Sequence, residues 1–454
     1  MYNKTMNKTE TITAIATPIG VGGISIIRIS GSKAKDIVKK IFICKTSADN
    51  FEPRKLYLGK IKAQDVNEQC LCVYFQAPFS YTGEDVVEFQ IHGGILITNK
   101  VLHLILNNGA KLAEAGEFTK RAFLNGKLSL EKAEAVIDTI NATSEMQLKS
   151  ANNLLNGALS TKLDDMQNQL TQLIAQIEVA IDYPEYDIEY ITAEKVKHEL
   201  IQIANNIDTL IQSNIQGRVI NNGINVALVG VPNVGKSSLM NALLEYDRAI
   251  VTDIAGTTRD TLNESFNYKG IRINLIDTAG IRDSEDTVEK IGISRSYDAI
   301  NNSDVVLFLI DNSVITSKDE LALLEIIDKN KLIIVKNKSD LANKNDLTCT
   351  GTVVEISAKN NTNIEKLKEE IYNKVFTTPL KNNYLYITNQ RHKDLLERAY
   401  KSIDATITAI NNGYSLDLLM IDIQNTWKYI GEITGKNYSN EVLNTIFSKF
   451  CLGK

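Results

Sequence analysis

The chain has 454 residues, 55 acidic against 50 basic side chains and a formal net charge of −5, so it is too long for a single hydrophobic core and too acidic overall for indiscriminate binding of nucleic acid. No secretory signal, bilayer-length apolar run or lipidation box occurs, which leads to the expectation of a cytoplasmic protein. Five cysteines, Cys44, Cys70, Cys72, Cys349 and Cys451, make no paired framework, and Cys70-Leu-Cys72 lacks the second ligand pair that a zinc site needs.

Residues 11–16, 23–29, 69–75 and 85–90 are β-branched or alternating runs bounded by glycine and proline, with helix-like stretches at 32–41 and 96–106, so residues 1–124 are expected to form an α+β domain. Three charges stand out there: Arg28 inside an apolar strand, Glu88 in a similar setting, and Lys127 just beyond. A charge within an apolar strand faces solvent, pairs internally or meets a ligand, and the pattern leaves the choice open. From Leu130 the character changes. Leu159, Leu163, Met166, Leu170, Leu173, Ile177 and Ala180 fall three or four residues apart, the stripe of a long amphipathic helix that stops at Asp182-Tyr-Pro184. A second stripe, Leu200, Ile203, Ile207 and Leu210, is expected to end near Gly217.

Next comes the strand-like run 224–229, then Gly230-Val-Pro-Asn-Val-Gly-Lys-Ser237, then a helix-like segment opening at Ser238. A strand, a glycine turn and a helix start aim backbone N–H groups and a positive helix end at a polyphosphate, with Lys236 reaching its terminal phosphates and the Ser237 hydroxyl available to magnesium. Asn233, Val234, Gly235, Lys236, Ser237 and Ser238 are therefore nucleotide-binding candidates. The polar loop Thr252-Asp-Ile-Ala-Gly-Thr-Thr-Arg-Asp260 follows, and Thr252, Asp253, Ile254, Ala255, Gly256, Thr257 and Thr258 suit a switch ordered by the terminal phosphate. Either Thr257 or Thr258 can supply a second magnesium hydroxyl. Asp277-Thr-Ala-Gly280 caps a strand-like run and places Asp277, Thr278, Ala279 and Gly280 near metal and γ-phosphate. Asn337-Lys-Ser-Asp340 offers Asn337, Lys338 and Asp340 to the base, where Asp340 accepts from both guanine donors and an unpaired carboxylate would penalise adenine. Ser357, Ala358 and Lys359 close over that base. The order of these motifs implies a GTP site. Ile281 follows Gly280 where many small GTPases carry a water-orienting glutamine, so the acidic stretch 283–289 must be searched instead, and it leaves Glu285, Asp286 and Glu289 open.

Helical patterns resume at 395–410, 416–430 and 440–450. Neither helical block has a full core of its own, so the two are expected to pack together as a discontinuous all-α domain, residues 125–217 and 379–454, with an α/β P-loop domain of Ras-like fold, residues 218–378, inserted between them. Cys451 lies three residues from the last residue, where a structural thiol has little core to join.

The loop 252–260, Tyr81-Thr-Gly-Glu-Asp85 with His92-Gly-Gly94, the run Gly116-Glu-Phe-Thr-Lys-Arg-Ala-Phe-Leu-Asn125 and Cys451-Leu-Gly-Lys454 together resemble the MnmE (TrmE) family of tRNA modification GTPases, over essentially the whole chain. The resemblance implies a homodimer whose N-terminal domain binds a tetrahydrofolate derivative, the 5,10-methylene or 5-formyl form, through Arg28, Glu88, Lys127 and Lys454. It implies a flavoprotein partner, MnmG, which carries FAD, and a tRNA substrate whose wobble uridine gains a carboxymethylaminomethyl or aminomethyl group at carbon 5. It further implies a potassium ion held by Asn233, Thr252, Ile254 and Thr257, magnesium at Ser237 and Thr258, Glu289 as the group orienting the attacking water, and Cys451 as a chemical participant. A competing expectation, an RNA-binding GTPase switch of ribosome assembly, shares the nucleotide motifs but not these flanking segments.

Overall fold

The computed structural model describes residues 10–63, 66–182, 192–244, 264–277, 299–345, 347, 351–376, 380 and 385–454. The chain is multidomain: an α+β N-terminal part, helices drawn from separate stretches of sequence, and a P-loop α/β fold inserted between them. It forms two compact units, one of Met1–Ile140, Leu154–Glu199 and Lys401–Lys454, the other of Asn141–Asn153 and Leu200–Tyr400.

In the first unit seven strands, β1 (Ile12–Ile15), β2 (Gly22–Ser30), β3 (Phe42–Cys44), β4 (Leu56–Ala63), β5 (Val66–Phe75), β6 (Val86–Gly93) and β7 (Lys111–Leu112), lie in the order β3-β4-β5-β6-β2-β1-β7. Only β1 and β7 run parallel. Helices α1 (Ala34–Ile41) and α2 (Ile95–Asn107) cover one face, where Ile27, Ile29, Val87 and Phe89 meet Ile37, Val38, Val101 and Ile105. Cys70 and Cys72 are packed in this layer, and burial pushes the Cys70 thiol up to about 12 and raises Cys72 as well. Directly paired residues project to one side of a sheet. The opposite face therefore carries a cross-strand row of Ala14, Arg28, Glu88, Val73 and Leu56. Short helix α3 (Glu117–Leu124) brings Phe118 against Ile12 and Ala14 on that face.

Helices α4 (Leu130–Asn141), α5 (Glu145–Leu155), α6 (Ala158–Asp182) and α7 (Ala193–Asn222) follow. The stripe expected on α6 is buried from Leu159 to Ile177, as the 3.6-residue period requires. The end expected near Gly217 does not occur, and α7 continues to Asn222. Gly217 instead permits a close approach, since a Cβ there would lie 2.1 Å from the Ile387 carbonyl oxygen.

The second unit holds β8 (Ile224–Val229), α8 (Lys236–Leu244), β9 (Glu264–Tyr268), β10 (Ile271–Asp277), β11 (Val305–Asp311), α9 (Lys318–Glu325), β12 (Leu332–Asn337), β13 (Thr352–Glu355) and α10 (Ile364–Val375). The sheet order is β13-β12-β11-β8-β10-β9, parallel apart from the β9–β10 hairpin. Alternate residues of β8 feed opposite layers: Val226 and Leu228 join the core with Leu239, Leu243, Leu367 and Ile371, while Ala227 and Val229 join Phe308, Ile310 and Ile334. Connections leave the neighbouring strands β8 and β11 in opposite directions, so the loop after β8 opens at a topological switch point, where such sheets bind ligands.

The start of α5 belongs to this unit. Met146 is 7% exposed within its core, its N–H donates to the Gly270 carbonyl at 3.0 Å, and Asn267 Nδ2 donates to the Thr143 carbonyl at 3.1 Å. Met146→Ala is expected to remove about 2–4 kcal/mol through lost burial and a residual cavity, lowering the melting temperature of the second unit by roughly 5–10 °C in calorimetry. An unchanged melting temperature would show that α5 is not part of this core.

The last helices are α11 (Gln390–Asn411), α12 (Leu416–Thr434) and α13 (Asn440–Phe447). Within the first unit α12 lies along α6, with Gln167 Nε2 donating to the Trp427 carbonyl at 2.9 Å and Trp427 Nε1 to Thr171 Oγ1 at 3.0 Å. Leu443, Ile446, Phe447 and Phe450 pack with Phe123 and Leu130, which delivers the end of the chain to α3.

Candidate nucleotide site and charged cluster

The loop between β8 and α8 turns through two left-handed residues, Asn233 at φ 68° and Gly235 at φ 98°. Such a turn directs successive N–H groups into one concavity, and α8 adds its positive end. Lys236 opens α8 and its Nζ donates to the Gly230 and Val231 carbonyls at 2.6 and 3.1 Å, lying across the loop. Val234 is buried, whereas Asn233, Ser237 and Ser238 are exposed.

Asn337 stitches this loop to the base-side loops. Its buried amide donates from Nδ2 to the Val234 carbonyl at 2.8 Å and accepts the Ala358 N–H at Oδ1 at 3.1 Å. A Cβ on residue 235 would lie 2.3 Å from Asn337 Nδ2, so glycine is required both by the backbone and by this contact. Lys338 at φ 63° sends Nζ to Asp311 Oδ2 at 2.6 Å. Burial alone would raise the Asp311 carboxyl, but bonds from Lys338 and Ser313 outweigh it and hold the group low. Asp340 Oδ1 accepts the Ser357 hydroxyl at 2.6 Å, a bond that with the nearby Lys359 and Lys338 charges keeps this exposed carboxyl below its usual range. Asp340 is thus an ionised acceptor at neutral pH, held by its neighbour and open to two further donors. Asp277 ends β10. The loop 252–258, residues 278–280 and Glu289 lie outside the described residues.

A second constellation sits in the first unit. Arg28 Nε donates to Glu88 Oε1 at 2.7 Å, each side chain only 16% exposed. The guanidinium lies over the rings of Tyr81 and Phe118, at 5.6 and 5.5 Å, and its Nη1 donates to the Gly453 carbonyl at 3.3 Å. The tail reaches it because the Phe118 N–H donates to the Lys454 carbonyl at 3.2 Å and the Gly116 N–H to the Cys451 carbonyl at 3.5 Å. Partial burial, and then the Arg28 charge, lower the Lys454 ammonium below its ordinary value, against the pull of Glu88. Arg28, Glu88 and Lys454 are therefore brought together. Lys127 is not joined to them by any hydrogen bond or ion pair among the described residues; its Nζ donates to the Pro78 carbonyl at 2.9 Å. Cys451 is exposed beside α3. Sequence reasoning missed Tyr81 and Phe118 as site residues, although both stand in segments already singled out; their rings enter only through folding.

A P-loop on a doubly wound sheet, braced to a carboxylate-bearing base loop, defines a P-loop protein of the guanine-nucleotide class. Residues 130–451 match the model of the MnmE helical domain and residues 11–127 that of the GTP-binding protein TrmE N-terminus. The chain is 41% identical to the tRNA modification GTPase MnmE of Clostridioides difficile strain 630, over 98% of this chain and 99% of that one. It is 42% identical to the protein of the same name from Lactiplantibacillus plantarum strain WCFS1, over 99% and 100% of the two chains. The chain belongs to the MnmE (TrmE) family. Among solved structures, the G domain of the T. maritima FeoB iron transporter is 31% identical over 33% of this chain and 98% of that one, at a TM-score of 0.25, a superposition too loose to bear on function.

Proposed function

We propose that this chain is a potassium-activated cytoplasmic GTPase that, with the flavoprotein MnmG, installs a carboxymethylaminomethyl or aminomethyl group at carbon 5 of the wobble uridine of certain tRNAs, drawing one carbon from a tetrahydrofolate derivative. Full-length kinship with relatives named tRNA modification GTPase carries this reading. The coarse statement, a GTPase of tRNA modification, follows from that kinship; the partner, ions and carbon donor are our own extension.

Hydrolysis is assigned to the second unit. Backbone N–H groups from Asn233 to Ser238 and the Lys236 ammonium bind the phosphates, and Asp340 accepts from the guanine edge while Ser357, Ala358 and Lys359 enclose the base. The exposed Ser237 hydroxyl, which makes no hydrogen bond among the described residues, fits a magnesium ligand together with Thr258. The exposed Asn233 amide, equally uncommitted at a left-handed turn, fits a potassium ligand with Thr252, Ile254 and Thr257. A potassium ion held there would supply positive charge beside the phosphates, the contribution that an arginine finger makes elsewhere. Glu289 orients the attacking water. In the first unit, Arg28, Glu88 and Lys454 flanked by Tyr81 and Phe118 fit a flat, polar-edged ring, with Lys127 at its margin. Exposed Ile19, Val21, Ile24 and Leu96 give that unit an apolar surface that fits a homodimer contact.

Hydrolysis is expected to run at least about tenfold faster in potassium than in sodium chloride at equal ionic strength, a fraction of the roughly 10³–10⁵ supplied by an arginine finger. Equal rates would remove the potassium assignment. The whole reading is tested by incubating an unmodified transcript with this chain, the flavoprotein, GTP, potassium, the folate and ammonium or glycine, then weighing the wobble nucleoside. A gain in mass that requires GTP is expected. Hydrolysis without any gain would contradict it.

A further inference from the structure

Residues 33–62 carry nine lysines and arginines against three carboxylates, a local charge of +6 in a chain whose total is −5. All three carboxylates are already engaged: Lys39 holds Asp49 at 2.6 Å and Asp36 at 3.6 Å, and Lys55 holds Glu52 at 2.5 Å. Lys40, Lys45, Lys60 and Lys62 are exposed and have no acidic partner among the described residues.

These four cluster because of the strand register. Lys60 pairs with Ile43 on the edge strand β3 and with Gln69 on β5, and Lys62 pairs with the neutral Asn67. Lys60, Lys62 and Leu58 share the outward face of β4, and Lys45 continues the side of Ile43 two residues on. Lys40 lies in the last turn of α1, which leads directly into β3. Between the charges lie Ile43, Leu56 and Leu58, 60%, 53% and 61% exposed. A flat edge that alternates unpaired ammonium groups with aliphatic surface complements a polyanion that also offers riboses and bases. An anionic bilayer would be met better by an amphipathic helix than by a three-residue edge strand.

We infer that the β3–β4 edge of the first unit is a docking surface for the sugar–phosphate backbone of tRNA. The inference rests on the reading that this chain acts on tRNA, and it adds where the RNA lies. Leu56 stands in the same cross-strand row as Glu88 and Arg28, two and three strands away, roughly 10 and 14 Å at ordinary strand spacing. RNA seated on this edge therefore lies on the sheet face that holds the charged cluster and the Cys451–Lys454 tail.

The test uses the full chain and its Lys45→Gln/Lys60→Gln/Lys62→Gln variant, with a fluorescein-labelled, unmodified tRNA transcript carrying a wobble uridine, titrated by anisotropy between about 50 and 200 mM potassium chloride. The variant is expected to bind roughly 10–100-fold more weakly at the lowest salt, with the slope of log affinity against log salt flatter by about 2 to 3. GTP turnover and melting temperature stay unchanged, and the matching triple Lys→Arg variant binds as the native chain does. Native affinity and slope in the glutamine variant would overturn the assignment of this edge while leaving the tRNA reading standing. No affinity of the native chain for the transcript would overturn both. Lysine-dependent binding to phosphatidylglycerol vesicles with RNA binding intact would make the edge a membrane surface and overturn the proposal.

Discussion

Asp340→Asn is expected to weaken GTP binding roughly 10²–10⁴-fold and to abolish the preference for guanine, because two charge-assisted hydrogen bonds are together worth about 3–6 kcal/mol. In the proposed site the carboxylate would accept from guanine N1–H and from its exocyclic amine. A carboxamide accepts one and opposes the other, and it complements xanthine, which offers an oxygen where guanine has the amine. Xanthosine triphosphate should therefore become the preferred nucleotide. The fold should survive, since a carboxamide oxygen can still accept the Ser357 hydroxyl that Asp340 accepts at 2.6 Å. Competition binding with guanosine, xanthosine and adenosine triphosphates checks this. Unchanged discrimination would show that the base lies elsewhere.

Glu289→Ala is expected to slow turnover by roughly two to four powers of ten, the range for a lost water-positioning or acid–base group, while GTP affinity stays within a few-fold of native. The expectation rests on Ile281, an aliphatic side chain where many small GTPases orient water with glutamine, and on the family resemblance, which implies Glu289 in the nearby acidic stretch as the group that orients water instead. Single-turnover hydrolysis beside equilibrium binding separates the two quantities. Matching losses of affinity and rate would mean that the residue holds the site together instead of acting on water.

The parts of this molecule that depend on local chemistry were legible in the sequence. Gly235, Lys236 and Ser237 announce a strand, a phosphate turn and a helix start because few other segments use those residues in that order. The 3.6-residue stripe of α6 is equally local. What escaped depends on partners far along the chain. Strand β4 hid behind Gly59 and behind the outward Leu56 and Leu58, which remove the polar alternation that marks a half-buried strand. Gly217 looks like a helix terminator until the Ile387 backbone is placed against it. Asn337 reads as a base contact, yet its amide is occupied bracing Val234 to Ala358, 103 and 21 positions away. Met146 lies in sequence among the helices and in space within the P-loop unit. Arg28 and Glu88 left their role open as isolated charges; their mutual bond and the seat of the Gly453 carbonyl exist only across β2, β6 and the tail.

The most direct test of the account is nucleoside mass spectrometry of tRNA from cells lacking this chain, complemented with the native gene or with Lys236→Ala. The modified wobble uridine should vanish on deletion, return with the native chain and stay absent with the variant. Persistence of the modification without the chain, or its full recovery with Lys236→Ala, would contradict a role for GTP binding by this protein in wobble-uridine modification.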